Sequence, residues 1–129
     1  MPLPEDRQPL IATLKRVAFH LKQTGVPFCL AGSFAVYARG GACCDHDIDF
    51  LIREMDASIV LTGLTAAGYR AEIPPEGWLV KVYDEDRLVD LIFTPVQRPV
   101  TDATFEATDV IAVNACHLPV LSATELMIH

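Results

Sequence analysis

Apolar residues recur at steps of three and four over residues 6–24, which is the period of an amphipathic helix. Gly25 follows this segment and is expected to end the helix. The apolar stripe predicts core packing rather than a binding groove. Its residues are Leu10, Ile11, Leu14, Val17, Ala18 and Leu21. Further helices are predicted at residues 34–38, 58–67 and 102–107, and a capping-box pattern predicts one more from Ser122.

Short apolar runs between these helices predict the strands of a sheet. Glycine, proline and acidic residues bound most of the runs and interrupt regular structure there. The acidic turn at residues 84–86 joins two of the runs into a hairpin. The predicted strands are residues 28–31, 47–52, 69–73, 78–83, 87–93 and 110–114.

Composition and charge narrow the classes of protein. A chain of 129 residues, 51% of them hydrophobic, suits one domain with its own core, so we expect residues 1–129 to form a single domain.

Seventeen acidic residues against ten basic ones give a net charge of -7, and no cluster of Lys and Arg could neutralise a row of phosphates. A nucleic-acid partner is therefore disfavoured. Because no segment is apolar enough for a signal peptide or a membrane span, we expect a cytoplasmic protein without a membrane partner.

The last predicted helix has room for little more than one turn before the sequence ends at His129. A helix this short is marginal without partners. Two interpretations stay open. The chain is truncated within a longer protein, or its C-terminal end packs against a second copy or a partner chain.

The four cysteines are expected to be reduced thiols, because their spacing suits neither a disulfide framework nor a zinc motif. Cys29 lies in a predicted buried strand and is expected to act as a small hydrophobe. Cys43 and Cys44 are adjacent, whereas paired zinc ligands usually stand about two to four residues apart. A soft-metal site made from these two cysteines and His46 stays open as a weaker alternative.

Two carboxylates share one face of the predicted strand 47–52. Alternate side chains of a strand point the same way, so Asp47 and Asp49 lie on one face while Ile48 and Phe50 point to the other. Two ionised carboxylates about 7 Å apart at their backbones repel each other unless a cation lies between them. Their oxygen ligands favour a hard divalent ion, Mg²⁺ or Mn²⁺. The plain alternative is a solvated strand face.

A third carboxylate lies in the predicted hairpin. Asp90 lies on the face of strand 87–93 opposite Val89 and Leu91, and it shares its own face with Leu88 and Ile92. A carboxylate in so apolar a strand is unusual. If this strand lies beside strand 47–52, Asp90 completes a triad suited to two metal ions. Lys81 is predicted on the same side of the hairpin, where it could contact a phosphate or pair with an acid across the strands.

The turn Gly32-Ser33 stands between a predicted strand and a predicted helix. Glycine lets the backbone approach a ligand closely, and the N-H groups at the start of a helix bind phosphate readily. A simple turn with a helix cap explains the dipeptide equally well when it is taken alone. Arg39 and Trp78 are interpreted as a surface cation and a core aromatic residue.

Together these residues resemble the DNA polymerase beta-like nucleotidyltransferase superfamily, above all its small bacterial members related to antibiotic- and toxin-type nucleotidyltransferases. The family pattern is a Gly-Gly or Gly-Ser turn, an Asp-x-Asp pair on the following strand, and a third acid on a later strand. The matching residues are Gly32-Ser33, Asp47-Ile48-Asp49 and Asp90. The resemblance implies an α+β nucleotidyltransferase fold, with a small mixed β-sheet flanked by helices.

The resemblance also implies a reaction, in which a nucleoside monophosphate moves from a nucleoside triphosphate to the hydroxyl of an unidentified acceptor and pyrophosphate is released. Asp47 and Asp49 would bind both Mg²⁺ (or Mn²⁺) ions. Asp90 would bind the catalytic ion and help to deprotonate or orient the hydroxyl. Gly32 and Ser33 would hold the phosphates.

Two departures from the family pattern bear on activity. Many relatives have a basic residue and a hydroxyl residue just before the acid pair, where this chain has Cys43 and Asp45. One alternative is therefore a non-catalytic relative that binds a nucleotide or a partner. A weaker alternative is a metal-binding domain with no nucleotide.

Overall fold

The computed structural model of the protein describes residues 8–41, 47–75, 77, 79–93, 100–106, 108–113 and 116–121. The helices are α1 (Gln8–Thr24), α2 (Gly32–Ala38), α3 (Ala57–Ala66) and α4 (Asp102–Glu106), and one 3-10 turn spans Glu54–Asp56. The strands are β1 (Cys29–Ala31), β2 (Ile48–Leu51), β3 (Arg70–Glu72), β4 (Leu79–Asp84), β5 (Arg87–Ile92), β6 (Thr108–Val113) and β7 (Cys116–Leu121). None of the described helices is both long and apolar enough to cross a lipid bilayer.

The described strands form one mixed sheet of seven strands, in the order β3-β4-β5-β2-β1-β7-β6. β2 pairs in parallel with β5, and β1 in parallel with β7. The other four pairs of neighbours are antiparallel. Helices α1, α2 and α3 cover one side of the sheet, named here the helical face. The other side carries Asp49 and Asp90 and is named the acidic face. The predicted α+β class, with a mixed sheet flanked by helices, is confirmed.

The main core lies between the sheet and the helical layer. The predicted apolar stripe of α1 is confirmed, because each of its six residues is at most 4% exposed. From the sheet, Ile48 and Phe50 of β2 and Val89 and Leu91 of β5 point into this core and are fully buried. The predicted division of β2 and β5 into an apolar face and an acidic face is therefore correct where the acids lie.

The acidic face also carries apolar residues, and Leu51 among them is buried. Leu51 points to the same side as Asp49, yet it is 1% exposed. The segment from Val100 through α4 crosses the acidic face there and covers it with Val100 and Phe105. Arg53 holds this segment in place, because its guanidinium bonds both Asp56 and Asp102. The acids thus stand at the border of a second, smaller apolar cluster.

Strand β7 is not among the strands that the sequence predicts. In the structure β7 pairs with β6 along its whole length and joins β1 through the pair Leu30 and Val120. Pro119 argues against a strand in sequence terms, because proline lacks the N-H group that a sheet uses.

The predicted helix from Ser122 and the residues Cys43, Cys44, Asp45, His46 and Trp78 lie outside the described part of the chain.

A polar network fastens α1 to the β4–β5 hairpin that carries Asp90. The fully buried Thr13 donates a hydrogen bond to Asp84 Oδ2 at 2.6 Å and accepts one from Arg87 Nε at 2.7 Å. Arg16 forms an ion pair with the same carboxylate. Burial alone would raise the pKa of Asp84, but the hydrogen bond from Thr13 and the contact with Arg16 outweigh it and lower the pKa below its ordinary value.

We expect Asp84→Asn to lower the free energy of unfolding by about 1–2 kcal/mol at neutral pH, because hydrogen bonds to a charged group are lost. The unfolded chain binds a proton at Asp84 more readily than the folded protein does. The stabilisation is therefore complete above about pH 5 and is lost as the pH falls below about 4, through the folded-state pKa. Urea unfolding of both proteins across this range measures it. A difference that is independent of pH would contradict the assignment.

Candidate active site

Residues paired in register form a row across the acidic face, perpendicular to the strands: Glu72, Lys81, Asp90, Asp49 and Ala31. Asp49 of β2 pairs in register with Asp90 of the parallel strand β5, which confirms the predicted adjacency of these strands. Lys81 of β4 is opposite Asp90, and Ala31 of β1 is opposite Asp49. Neighbouring strands are about 4.8 Å apart, so the two carboxylates start from backbones closer together than those of Asp47 and Asp49.

The surroundings of Asp90 shift the pKa of its carboxyl group. Burial raises its pKa above the ordinary value, the charge of Lys81 opposes the shift, and the charge of Asp47 adds to it. The Oδ1 atom of Asp90 is buried without a hydrogen-bond partner among the described residues. An unpaired carboxylate oxygen in a half-buried place is costly unless a ligand satisfies it. Oδ1 of Asp90 is therefore available to bind a cation.

Asp47 immediately precedes β2 and is exposed. Its charge nevertheless acts on Asp90, which places the two carboxylates within electrostatic range of each other. The three predicted acids are thus brought to one region: two as neighbours in the sheet, and the third at the end of the strand that carries Asp49.

Gly32 lies directly against the carboxylate of Asp49. Its φ is +66°, and a Cβ atom built on it would overlap Oδ2 of Asp49 and lie 3.1 Å from Cγ. Any side chain at this position would therefore displace the carboxylate. Ser33 follows in the first turn of α2, so the predicted Gly-Ser turn meets the predicted acids at Asp49.

Metal binding stays a prediction. As the side chains stand, the described residues contain no group of three or more His, Cys, Asp and Glu side chains gathered closely enough to hold a metal ion. Two observations fit a hard cation: the unpaired oxygen of Asp90, and the neighbouring carboxylate of Asp49 against a glycine. Carboxylate oxygens are the ligands that Mg²⁺ and Mn²⁺ prefer.

The structure gives two basic residues specific neighbours. Lys81 lies across from Asp90, as predicted, and its contact with a phosphate stays a prediction.

Arg39 is held by hydrogen bonds within the fold rather than being a free surface cation. Its Nε donates to the carbonyl of Leu121 at 2.7 Å, and its Nη2 donates to Val120 at 3.1 Å and to Asp109 at 2.9 Å. The sequence holds no signal for this contact, because its acceptors are mostly backbone carbonyls some 80 residues away.

The fold is similar to that of solved nucleotidyltransferase structures, so the resemblance seen in the sequence is confirmed at the level of the fold. A protein from Thermotoga maritima, provisionally assigned as a nucleotidyltransferase, has a TM-score of 0.76 at 16% identity, over 95% of this chain and 83% of that one. The antibiotic-resistance factor ANT(2'')-Ia has a TM-score of 0.69 at 16% identity, over 92% and 68% of the two chains. The lincosamide antibiotic adenylyltransferase LnuA has a TM-score of 0.63 at 14% identity, over 99% and 86%.

Comparisons of the sequence with protein-family models and with curated proteins gave no match. The likeness to these solved structures is therefore one of fold.

We expect Gly32→Ala to lower the free energy of unfolding more than Gly25→Ala does. Both glycines have a positive φ, and a side chain in that region costs about 1–2 kcal/mol. A Cβ at Gly25 meets nothing within 4 Å, whereas one at Gly32 overlaps Asp49. Urea unfolding of the two variants isolates the overlap. Equal losses would show that the carboxylate of Asp49 moves away freely.

We expect Asp90→Asn to raise the free energy of unfolding of the metal-free protein by about 1 kcal/mol at neutral pH, because a half-buried, unpaired carboxylate is neutralised. The raised pKa of Asp90 means that the folded protein holds a proton more tightly than the unfolded chain. Wild-type stability therefore falls as the pH rises from about 4 through the folded-state pKa, and the gain of the variant appears over that window.

Thermal unfolding in a chelating buffer measures this gain. Glu72→Gln is the control, since Glu72 is an exposed carboxylate on the same face, across from Lys81. A variant that is less stable than the wild type at neutral pH would show that the carboxylate of Asp90 is well satisfied in the free protein.

Proposed function

We propose that this domain is a metal-dependent nucleotidyltransferase, which moves a nucleoside monophosphate from a nucleoside triphosphate to an acceptor hydroxyl and releases pyrophosphate. The fold supports the class of enzyme. The observation that carries the proposal is the parallel register of Asp49 and Asp90, which sets two carboxylates side by side, with that of Asp49 against Gly32.

The carboxylates are proposed to bind the cations that accompany a triphosphate. Asp47 and Asp49 come from one strand end and Asp90 from its neighbour, so cations bound to them share one site. When bound, Mg²⁺ or Mn²⁺ supplies positive charge that neutralises the triphosphate. Like charges on neighbouring carboxylates give the site its affinity for cations, because binding removes their repulsion.

The turn at Gly32 and Ser33 is proposed to hold the phosphates. Glycine leaves the backbone uncovered beside Asp49, so a phosphate can approach both the turn and the acid pair. The charge of Lys81, on the far side of Asp90, adds attraction for an anion there. These residues would position the alpha phosphorus rather than form a covalent bond to it.

Asp90 is proposed to face the acceptor hydroxyl. Its Oδ1 atom has no hydrogen-bond partner among the described residues, and such a carboxylate oxygen can accept the proton that the hydroxyl loses. As the proton leaves, the acceptor oxygen bonds to the alpha phosphorus and the bond from that phosphorus to the oxygen of the beta phosphate breaks. The electron pair of the broken bond leaves with pyrophosphate.

A second candidate is a nucleotide-binding relative without transferase activity. Two observations favour it: Cys43 and Asp45 stand where many relatives have a basic residue and a hydroxyl residue, and the described acids do not form a compact metal-binding group as they stand. This candidate shares the nucleotide site and lacks the release of pyrophosphate.

We expect Asp49→Asn to weaken the binding of a nucleoside triphosphate in Mg²⁺ at least about tenfold, because the site loses a carboxylate that binds cations. Calorimetric titration with each of the four ribonucleoside triphosphates, with and without Mg²⁺, measures it. Glu72→Gln should bind like the wild type, since it removes a carboxylate from the same face but outside the acid pair.

Pyrophosphate release then separates the two candidates. The nucleotide is supplied with acceptor panels of small-molecule alcohols, protein hydroxyls and RNA ends. Nucleotide binding without pyrophosphate in any panel supports the second candidate. Binding that survives both Asp49→Asn and Asp90→Asn would place the nucleotide away from these acids and end both proposals.

A further inference from the structure

The two edges of the sheet are protected to very different degrees. One edge is β3, which has three residues, two of them the exposed and charged Arg70 and Glu72. Both are engaged with β4, because the guanidinium of Arg70 lies 4.3 Å from the ring centroid of Tyr83 and the hydroxyl of Tyr83 donates to Glu72. Short length and charge are the usual defences of an edge strand against pairing with another chain.

The other edge, β6, lacks these defences. It runs for six residues and pairs residue for residue with β7, without a bulge. It contains no Lys, Arg or Pro, and Val110 at its middle is 71% exposed. Among the described residues β7 is its sole neighbour in the sheet. The backbone N-H and C=O groups along its outer side need partners, and another strand supplies them most fully.

The single charge on β6 does not oppose association. Asp109 accepts a hydrogen bond from Arg39 at 2.9 Å, so the carboxylate is paired within its own molecule. The hydroxyl of Thr108 likewise donates to the carbonyl of Phe105 at 2.7 Å. The remaining residues are the apolar segment 110–113. Although the chain has a net charge of -7, this edge carries little of it toward a partner.

The strand is also complementary to itself. An antiparallel pair of β6 strands about a two-fold axis perpendicular to the sheet keeps the helical face of each copy on the same side. Centred on Val110 or Ile111, such a pair sets apolar residues of the same face opposite each other. Asp109 then faces Ile111 or Val113 of the second copy, and the two carboxylates are never directly opposed.

We propose that two copies of this chain associate through antiparallel pairing of their β6 strands, forming one continuous sheet across a two-fold axis. A second copy fits this edge because the centre of the strand carries no charge and Asp109 is paired with Arg39 of its own molecule. About the two-fold axis, apolar residues of one copy face apolar residues of the other. The inference does not depend on the proposed activity, because Asp49 and Asp90 lie three and four strands away from β6 in the sheet.

Sedimentation of the full chain between about 1 and 100 µM tests the association. We expect a dimer whose fraction rises with concentration. Val110→Lys should weaken it at least about tenfold, because two lysines meet near the two-fold axis. Met55→Lys is the matched control, since it places the same charge on an equally exposed apolar residue, 73% exposed, outside the sheet. It should leave the dimer unchanged.

Hydrogen exchange of the wild type gives a second measurement that requires no substitution. Amides of residues 108–113 should exchange more slowly as the concentration rises, while those of β3 should not change. A monomer throughout the range would overturn the proposal, as would a dimer that Val110→Lys leaves intact. Protection of 108–113 that does not vary with concentration would show that another part of the same chain covers the edge, and would also overturn it.

Discussion

The parallel pairing of β2 with β5 is the constraint on which the acidic site depends. It sets Asp49 beside Asp90, an arrangement that electrostatic repulsion alone would oppose. The pairing is enforced from the other side of the sheet, where Phe50 and Leu91 are fully buried. A slip of one residue would turn every side chain of β2 to the opposite face, exposing Phe50 and burying Asp49. The hydrophobic core therefore holds the two carboxylates together.

This arrangement lowers the stability of the acidic face. Asp90 keeps an unpaired, buried oxygen and a raised pKa, both of which a stability-optimised surface would lack. The cost is offset nearby, where Thr13, Arg16 and Arg87 surround Asp84 and fasten the hairpin to α1. The carboxylate at the end of β4 is satisfied and the one in the middle of β5 is not. That contrast distinguishes a structural acid from a candidate functional one.

Much of the fold and the outline of the site could be predicted, because both follow from local periodicity. The alternation of residues in β2 and β5 predicted the faces of Asp49 and Asp90, and hairpin geometry predicted Lys81 beside Asp90. The predictions from the sequence miss contacts between segments that are far apart along the chain. Nothing near Leu51 in the sequence indicates that α4 covers it. Strand β7 was missed because its proline disfavours a strand, and its place between β1 and β6 depends on neighbours far along the chain.

By itself, the sequence determined which side chains share a face, the approximate bounds of the described helices, and the Gly-Ser turn with its acids, because these depend on residues a few positions apart. The tertiary structure decided that Asp90 lies next to Asp49, that Gly32 touches this carboxylate, and that β6 forms an edge. Such contacts join residues 17 or 41 positions apart along the chain. They arise from the order of strands in the sheet, and the burial of the whole apolar face selects that order.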